Sequence, residues 1–235
     1  MNIVITGASK GLGRAIAEKF GEDKQGHGFF LCARNEQELK TFALELQGRF
    51  PRTNVQALAC DVSNPADVAR FAQWILSKEA RIDVLVNNAG RFIPGSVHNE
   101  PEGTLQTMIE TNLYSAYNLT RALLPAMIAA GQGHIFNMCS IASLQAYSNG
   151  GAYSISKFAL AGFSKNLREE MKPHNIKVTT VYPGAAYTDS WSGSGVDPKR
   201  IMEANDIAAM IYAASFLSPQ ACLEEITLRP QLGDL

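Results

Sequence analysis

Short runs of aliphatic and β-branched residues recur along this chain, and most are separated by a longer amphipathic stretch. They are Asn2 to Thr6, Phe29 to Ala33, Val55 to Ala59, Val84 to Asn87, His134 to Cys139, Lys177 to Tyr182 and Glu225 to Leu228. The runs are continuous instead of alternating polar and apolar, which predicts parallel strands covered on both faces. Crossover helices between parallel strands are the sterically accessible connection, so the rhythm predicts an α/β fold. Asn64 before Pro65 and Asn205-Asp206 before the apolar run Ile207 to Leu217 mark helix starts.

At 235 residues, the whole of 1–235 reads as one domain with enough chain to bury a core. A net charge of −1 gives no general electrostatic reason to bind nucleic acid or an anionic membrane. No apolar stretch is long enough to span a bilayer, and the chain opens directly on Ile3-Val4-Ile5, so a cytoplasmic location is expected. Cys32, Cys60, Cys139 and Cys222 are widely spaced and sit in or beside apolar runs, which suits reduced, buried thiols. His27, His98, His134 and His174 lack metal-ligand spacing, and no metal is expected.

The first strand runs into Thr6-Gly7-Ala8-Ser9-Lys10-Gly11-Leu12-Gly13, with a helix predicted from about Gly11. Glycines allow a tight turn and bring backbone N–H groups and a helix N-terminus against a pyrophosphate. Such a turn can also be a plain strand-to-helix connection, so the cofactor reading needs support from elsewhere in the chain. The second strand ends at Cys32-Ala33-Arg34, with no carboxylate at its end to hold a ribose 2′-hydroxyl. Arg34, with Lys10 from the turn, suits a 2′-phosphate instead, which predicts NADP(H) over NAD. Glu36 and Glu38 are expected to face away on a helix starting near Asn35. Asp61-Val62 follows the third strand at the height of an adenine, where Asp61 suits either a base contact or an ordinary turn.

A second group of residues bears on chemistry. Asn112 falls in a predicted helix, Ser140 follows the fifth strand, and Tyr153 and Lys157 are four apart near the start of another helix. Residues at that spacing share a helix face, so phenol and ammonium can meet in one cavity. A nearby positive charge is expected to lower the Tyr153 pKa. Tyr153 would then protonate the oxygen of a carbonyl under reduction, Ser140 would hydrogen-bond that oxygen, and Lys157 would also bind the nicotinamide ribose. Asn112, a poor helix former, is expected to disturb its helix and hold a water that resupplies protons.

In this order, Thr6 to Gly13, Asn87-Asn88-Ala89-Gly90, Asn112, Ser140, Tyr153, Lys157 and Pro183-Gly184 make the chain resemble the short-chain dehydrogenase/reductase family from Ile3 to about Thr188. The resemblance implies a Rossmann-type, doubly wound, seven-stranded parallel sheet with helices on both faces. It also implies the Asn-Ser-Tyr-Lys roles above and cofactor contacts from Asn88, Ala89, Gly90, Pro183, Gly184, Ala186 and Thr188. A homodimer or homotetramer built on the helices around Asn112 and Tyr153 is implied too. The ending from Glu224 to Asp234, with Gly90-Arg91-Phe92 and Pro183 to Trp191, is similar to bacterial sepiapterin-reductase-like members.

Two segments rich in Gly, Pro and Ser, Arg91 to Gly103 and Thr188 to Lys199, follow predicted strands and are expected to wall a pocket. Residues 188–204 are expected to form a mobile substrate loop. Phe92, Tyr147, Tyr187 and Trp191 would give that pocket an aromatic lining for a planar ketone or diketone, and Asp189 would suit a donor-rich ring. The reading is thus an NADPH-dependent carbonyl reductase. The alternatives are an NADP-dependent alcohol dehydrogenase, a 3-oxoacyl thioester reductase, and an NADP-binding regulatory protein without catalysis.

Overall fold

The computed structural model describes every residue except 80, 189, 190, 192, 194 and 235. In chain order the first half holds β1 (Asn2–Thr6), α1 (Gly11–Gly21), β2 (Gly28–Ala33), α2 (Glu36–Arg49), β3 (Asn54–Ala59), α3 (Pro65–Lys78), β4 (Val84–Asn87) and α4 (Thr104–Ile109). The second holds α5 (Ser115–Ala130), β5 (Gly133–Met138), α6 (Gly151–Met171), β6 (Ile176–Pro183), β7 (Ala186–Tyr187), β8 (Met202–Glu203), α7 (Ala204–Ser215) and β9 (Glu225–Leu228). Seven strands make one parallel sheet in the order β3-β2-β1-β4-β5-β6-β9. The order reverses at β1 and β4, and the crevice beyond the strand ends there is where open α/β sheets bind ligands.

Burial on both faces explains the unbroken apolar runs. Ile3 and Ile5 of β1 pack with Ile16 and Phe20 of α1, Phe42 of α2 and Ile211 of α7. Val4 between them points the other way, into a cluster with Phe71 of α3, Leu123 of α5 and Leu167 of α6. Truncating one of these fully buried aromatics, such as Phe20 or Phe71, would cost about 3–5 kcal/mol. Helix starts are fixed locally. Asn35 Oδ1 accepts from Gln37 N at 3.1 Å and Glu38 N at 3.2 Å, and Asn64 Oδ1 accepts from Ala66 N at 2.9 Å. At α7 the cap falls on Glu203, two residues before the Asn205-Asp206 signal, because Asp206 Oδ2 reaches back to the Glu203 N–H at 3.0 Å.

Two features go beyond the sequence reading. Residues Glu110–Tyr114, between α4 and α5, form a π-helical turn. The strands β7 and β8 pair into a separate two-stranded ladder, Ala186 opposite Met202 and Tyr187 opposite Glu203. That ladder anchors the C-terminal part of the segment read as a mobile loop. Met202 N donates to Ala185 O at 3.1 Å, and Arg200 Nη1 donates to Gly233 O at 3.0 Å. No described helix is long and apolar enough to cross a membrane.

Candidate active site

The glycine turn is held in shape by the end of β4. Thr6 Oγ1 accepts from Asn88 N at 3.1 Å and Ala89 N at 2.9 Å, while Asn88 Nδ2 donates to Thr6 O at 2.9 Å and Gly7 O at 3.0 Å. Gly7 has φ of 63°, a conformation costly for any residue with a Cβ. A Cβ on Gly13 would lie 2.3 Å from Gly7 O and 2.6 Å from Asn88 Nδ2, so α1 can pack this closely only with glycine there. Thr6 and Gly13 therefore shape the turn from behind, whereas Gly7, Ser9, Lys10, Gly11 and Leu12 line a cleft of about 1300 Å³.

The cleft runs over the reversal point of the sheet. At one end it is walled by Arg34, Asp61 and Val62, in the middle by Asn88, Ala89 and Gly90, and at the far end by Ser140, Tyr153, Lys157 and the segment Pro183, Gly184, Ala186 and Thr188. Arg34 is exposed on this wall. Asp61 Oδ1 accepts from Ser63 N at 3.0 Å and Ser63 Oγ at 2.7 Å, so this oxygen serves the turn. Glu36 turns away as expected and pairs with Lys40 at 2.6 Å, but Glu38 lines the cleft, one helical turn after the cap at Asn35. The bare glycine backbone, the N-terminus of α1 and two cations at one end fit a dinucleotide with an extra phosphate.

At the opposite end, Ser140 caps a 3₁₀ turn over Ile141–Ser143, its Oγ accepting from Ala142 N at 3.1 Å. That fixes the oxygen and leaves the Ser140 O–H to donate. Tyr153 and Lys157 both line the cleft from the first turns of α6. The Lys157 Nζ lies 5.9 Å from the centroid of the Tyr153 ring and donates to Met138 O at 2.7 Å.

The expectation of a lowered Tyr153 pKa is overturned. Burial pushes the phenol above its usual value, and a hydrogen bond from Ser140 only partly opposes this. Burial also lowers the pKa of the Lys157 ammonium, one N–H of which donates to the Met138 carbonyl. Desolvation dominates here, leaving Tyr153 in its acid form.

Asn112 does not line the cleft. It lies buried in the π-turn, and its side chain reaches the backbone that carries the cleft wall: Oδ1 accepts from Arg91 N at 2.7 Å, and Nδ2 donates to Arg91 O at 3.0 Å and Ser156 Oγ at 2.8 Å. The helix is disturbed as expected, but both amide N–H groups are taken, so a water relay cannot use them. π-turns inside helices occur frequently at functional sites.

Of the aromatic residues, Phe92, Tyr147 and Trp191 line the cleft, with Phe92 edge-on to Tyr153 at 4.9 Å between centroids. Tyr187 is not in the wall; it sits exposed on the ladder formed by β7. Asp189 lies outside the described residues. Sequence reasoning missed Ile141, Ala142 and Gln145, which follow Ser140 around the 3₁₀ turn and were within reach of local inference. It also missed Asp234, brought to the cleft near Gly184 by the chain's far end, for which no local signal exists. Among the described residues, no group of three His, Cys, Asp or Glu side chains could hold a metal ion.

A protein-family model described as short chain dehydrogenase matches residues 1–197. The chain is 34% identical over 239 residues to a sepiapterin reductase of Chlorobaculum tepidum, covering 99% of this chain and 97% of the relative. A metagenomic short-chain oxidoreductase solved in complex with NADP superposes with a TM-score of 0.84 at 33% identity, over 98% of this chain and 97% of that one. An alcohol dehydrogenase from the archaeon Thermococcus sibiricus, complexed with 5-hydroxy-NADP, gives 0.90 at 28% identity, over 100% and 98%.

Proposed function

The chain belongs to the short-chain dehydrogenase family, and on that premise we propose that it is an NADPH-dependent reductase of a ketone or diketone, with Tyr153 as proton donor. The observation that carries this reading is the meeting of Ser140, Tyr153 and Lys157 on one cleft wall, continuous with a glycine turn and Arg34 at the other end. The cofactor is NADP(H), which supplies a hydride at its nicotinamide ring. Gly7, Ser9, Lys10, Gly11 and Leu12 would cradle its phosphates, Arg34 and Lys10 its 2′-phosphate, and Asp61 and Val62 its adenine end. Asn88, Ala89, Gly90, Lys157, Pro183, Gly184, Ala186 and Thr188 would hold the nicotinamide half.

The substrate oxygen accepts hydrogen bonds from the Ser140 and Tyr153 hydroxyls. As negative charge grows on that oxygen, the Tyr153 O–H proton moves onto it, and Ser140 holds the geometry. The ammonium of Lys157 would then stabilise the phenolate left behind. A raised Tyr153 pKa keeps available the acid form that reduction needs. Asn112 acts through Arg91 as a positioning residue.

Phe92, Tyr147 and Trp191 around the reacting end support a planar, sepiapterin-like substrate, as does the similarity along nearly the whole chain to a sepiapterin reductase. A homodimer or homotetramer is supported by an apolar groove of about 450 Å³ between α5 and α6, lined by Tyr114, Tyr117 and Phe163. The test is NADPH consumption with sepiapterin, other diketones, simple ketones and a 3-oxoacyl thioester, and the reverse reaction with alcohols. Fastest turnover on a cyclic diketone supports the proposal. Preference for the thioester, or turnover of alcohols alone, overturns the substrate class. Tight NADPH binding with no turnover at all overturns catalysis in favour of a regulatory role.

A further inference from the structure

The segment between β4 and α4 carries no helix or strand, yet it is tied to the start of α6. Gly95 N donates to Asn149 O at 3.1 Å, Ser96 Oγ donates to Asn149 Oδ1 at 2.9 Å, and Ala152 N donates to Glu100 Oε2 at 3.1 Å. A compact turn holds Glu100 for that contact: Glu100 N donates to Ser96 O at 2.9 Å, and Ser96 N to Asn99 Oδ1 at 3.2 Å.

The contact falls where α6 needs it. The first N–H groups of a helix have no partner within it, and the residue before α6 is Gly150, which has no side chain to cap them. Glu100 supplies the missing acceptor from 52 residues away, and its negative charge suits a helix N-terminus. The fit is close, since a Cβ on Gly151 would collide with Gly95 O and lie 2.6 Å from Glu100 Oε2. Tyr153 follows Ala152 directly, and its carbonyl accepts from Ser156 Oγ at 2.7 Å, the same hydroxyl that accepts from Asn112 Nδ2. The segment is therefore fastened on both sides of Tyr153, through Asn112 at Arg91 and through Glu100 at Ala152. Between those points it lays Phe92 against the Tyr153 ring.

We propose that Glu100 is a positioning residue for Tyr153, a clasp that fixes the first turn of α6 against the segment carrying Phe92 so that phenol and ketone meet in the reacting geometry. The proposal rests on the reading of Tyr153 as proton donor. Glu100 is not in the cleft wall, so it acts through Ala152 and the segment behind Phe92. What the clasp requires is an acceptor oxygen at the right reach. Glu100→Gln keeps that oxygen without the charge, whereas Glu100→Asp keeps the charge on a side chain one methylene too short for the Ala152 N–H.

The experiment compares these two variants with the native protein and with Tyr153→Phe. It measures ketone reduction, NADPH affinity by fluorescence titration, the solvent deuterium isotope effect on kcat, and hydrogen exchange at residues 91–100 and 150–156. In Glu100→Asp, kcat should fall by about ten- to a hundredfold, because displacing a reacting group by about 1 Å can cost about 10² in rate. That fall should exceed the rise in KM for the ketone, and the solvent isotope effect should grow as proton transfer from Tyr153 comes to limit the rate. NADPH affinity should stay within about twofold, since Glu100 bonds to none of the residues assigned to the dinucleotide. Exchange should quicken at both segments and not in β1 or α1. Glu100→Gln should recover native kcat to within about threefold, as a neutral acceptor replaces a charged one. Native kcat and exchange in Glu100→Asp overturn the clasp. An equal loss in Glu100→Gln and Glu100→Asp overturns the hydrogen bond in favour of the charge. A fall in kcat matched by an equal loss of NADPH affinity is a general loosening and overturns positioning. If Tyr153→Phe reduces ketones at the native rate, the donor reading falls and the positioning with it, while faster exchange in Glu100→Asp still upholds the clasp.

Discussion

Asn112 grips both backbone polar atoms of Arg91, accepting its N–H at 2.7 Å and donating to its carbonyl at 3.0 Å. A buried side chain on a distorted helix thus fixes the peptide next to Gly90 and Phe92. Asn112→Ala would leave that N–H and carbonyl, and Ser156, without their partner. Loss of about 2–6 kcal/mol is expected, from about 1–3 kcal/mol for each of the two backbone groups left unsatisfied, since Ser156 Oγ keeps its bond to Tyr153 O. Calorimetry should show a clear drop in Tm, and kcat should fall with it. Asn112→Asp keeps an acceptor for the Arg91 N–H but sets a carboxylate against the Arg91 carbonyl, so it should recover only part of both. An alanine variant with unchanged Tm and kcat would remove the positioning role.

Tyr153→Phe removes one oxygen and keeps the ring packed against Phe92. Reductase kcat should drop by about 10²–10⁴, the usual worth of a positioned proton donor, with NADPH affinity nearly unchanged. The pH dependence has a definite sign. Reduction needs the phenol protonated, and burial raises its pKa, so kcat/KM should show no loss from this group until the pH passes its ordinary value of 10. A decline that sets in near neutrality and disappears in Tyr153→Phe would contradict the burial effect.

Arg34 lies exposed at the end of the cleft away from Tyr153, beyond β2. Arg34→Ala should weaken NADPH by about tenfold or more, as expected for loss of a charge-assisted pair to phosphate. NADH, which lacks the 2′-phosphate, should be affected by less than about twofold because it offers Arg34 no such pair. Equal weakening of both cofactors in parallel titrations would place Arg34 elsewhere on the dinucleotide.

His134 is buried on β5, with Nε2 2.7 Å from Thr179 Oγ1. Thr179 donates its own proton to Leu223 O, so Nε2 carries the hydrogen, and Nδ1 has no partner among the described residues. Protonating Nδ1 would create an unpaired buried charge, and burial accordingly lowers the pKa to about 3 from 6.5. The depressed value means that this contribution to stability is complete above 6.5 and is lost as the pH falls towards 3. By pH 5 the loss is about 2 kcal/mol. Denaturant unfolding across this range should show a slope in the native protein that is reduced by nearly one proton in His134→Gln. Identical slopes would assign acid sensitivity to other groups.

How much of this was visible in the chain follows from the range of the interactions involved. The strands from β1 to β6 and β9 were legible because a strand buried on both faces has to be apolar along its whole length, and that requirement is local. So were the glycine turn and the pairing of Tyr153 with Lys157, which follow from backbone freedom and helix pitch. The ladder of β7 and β8 was not, since two-residue strands leave no periodic pattern. Tyr187 belongs to that ladder, paired in register with Glu203.

The amino-acid sequence alone determined the sheet, the glycine turn and the placing of Tyr153 and Lys157 on one helix face, because each depends on short-range sterics or on burial that every residue in a run shares. Tertiary structure decided the rest. The acid form of Tyr153 depends on how completely its surroundings exclude water, and the partners of Asn112 on which backbone its amide meets across the fold. Each of these is a property of neighbours distant in sequence, fixed only when the chain closes on itself.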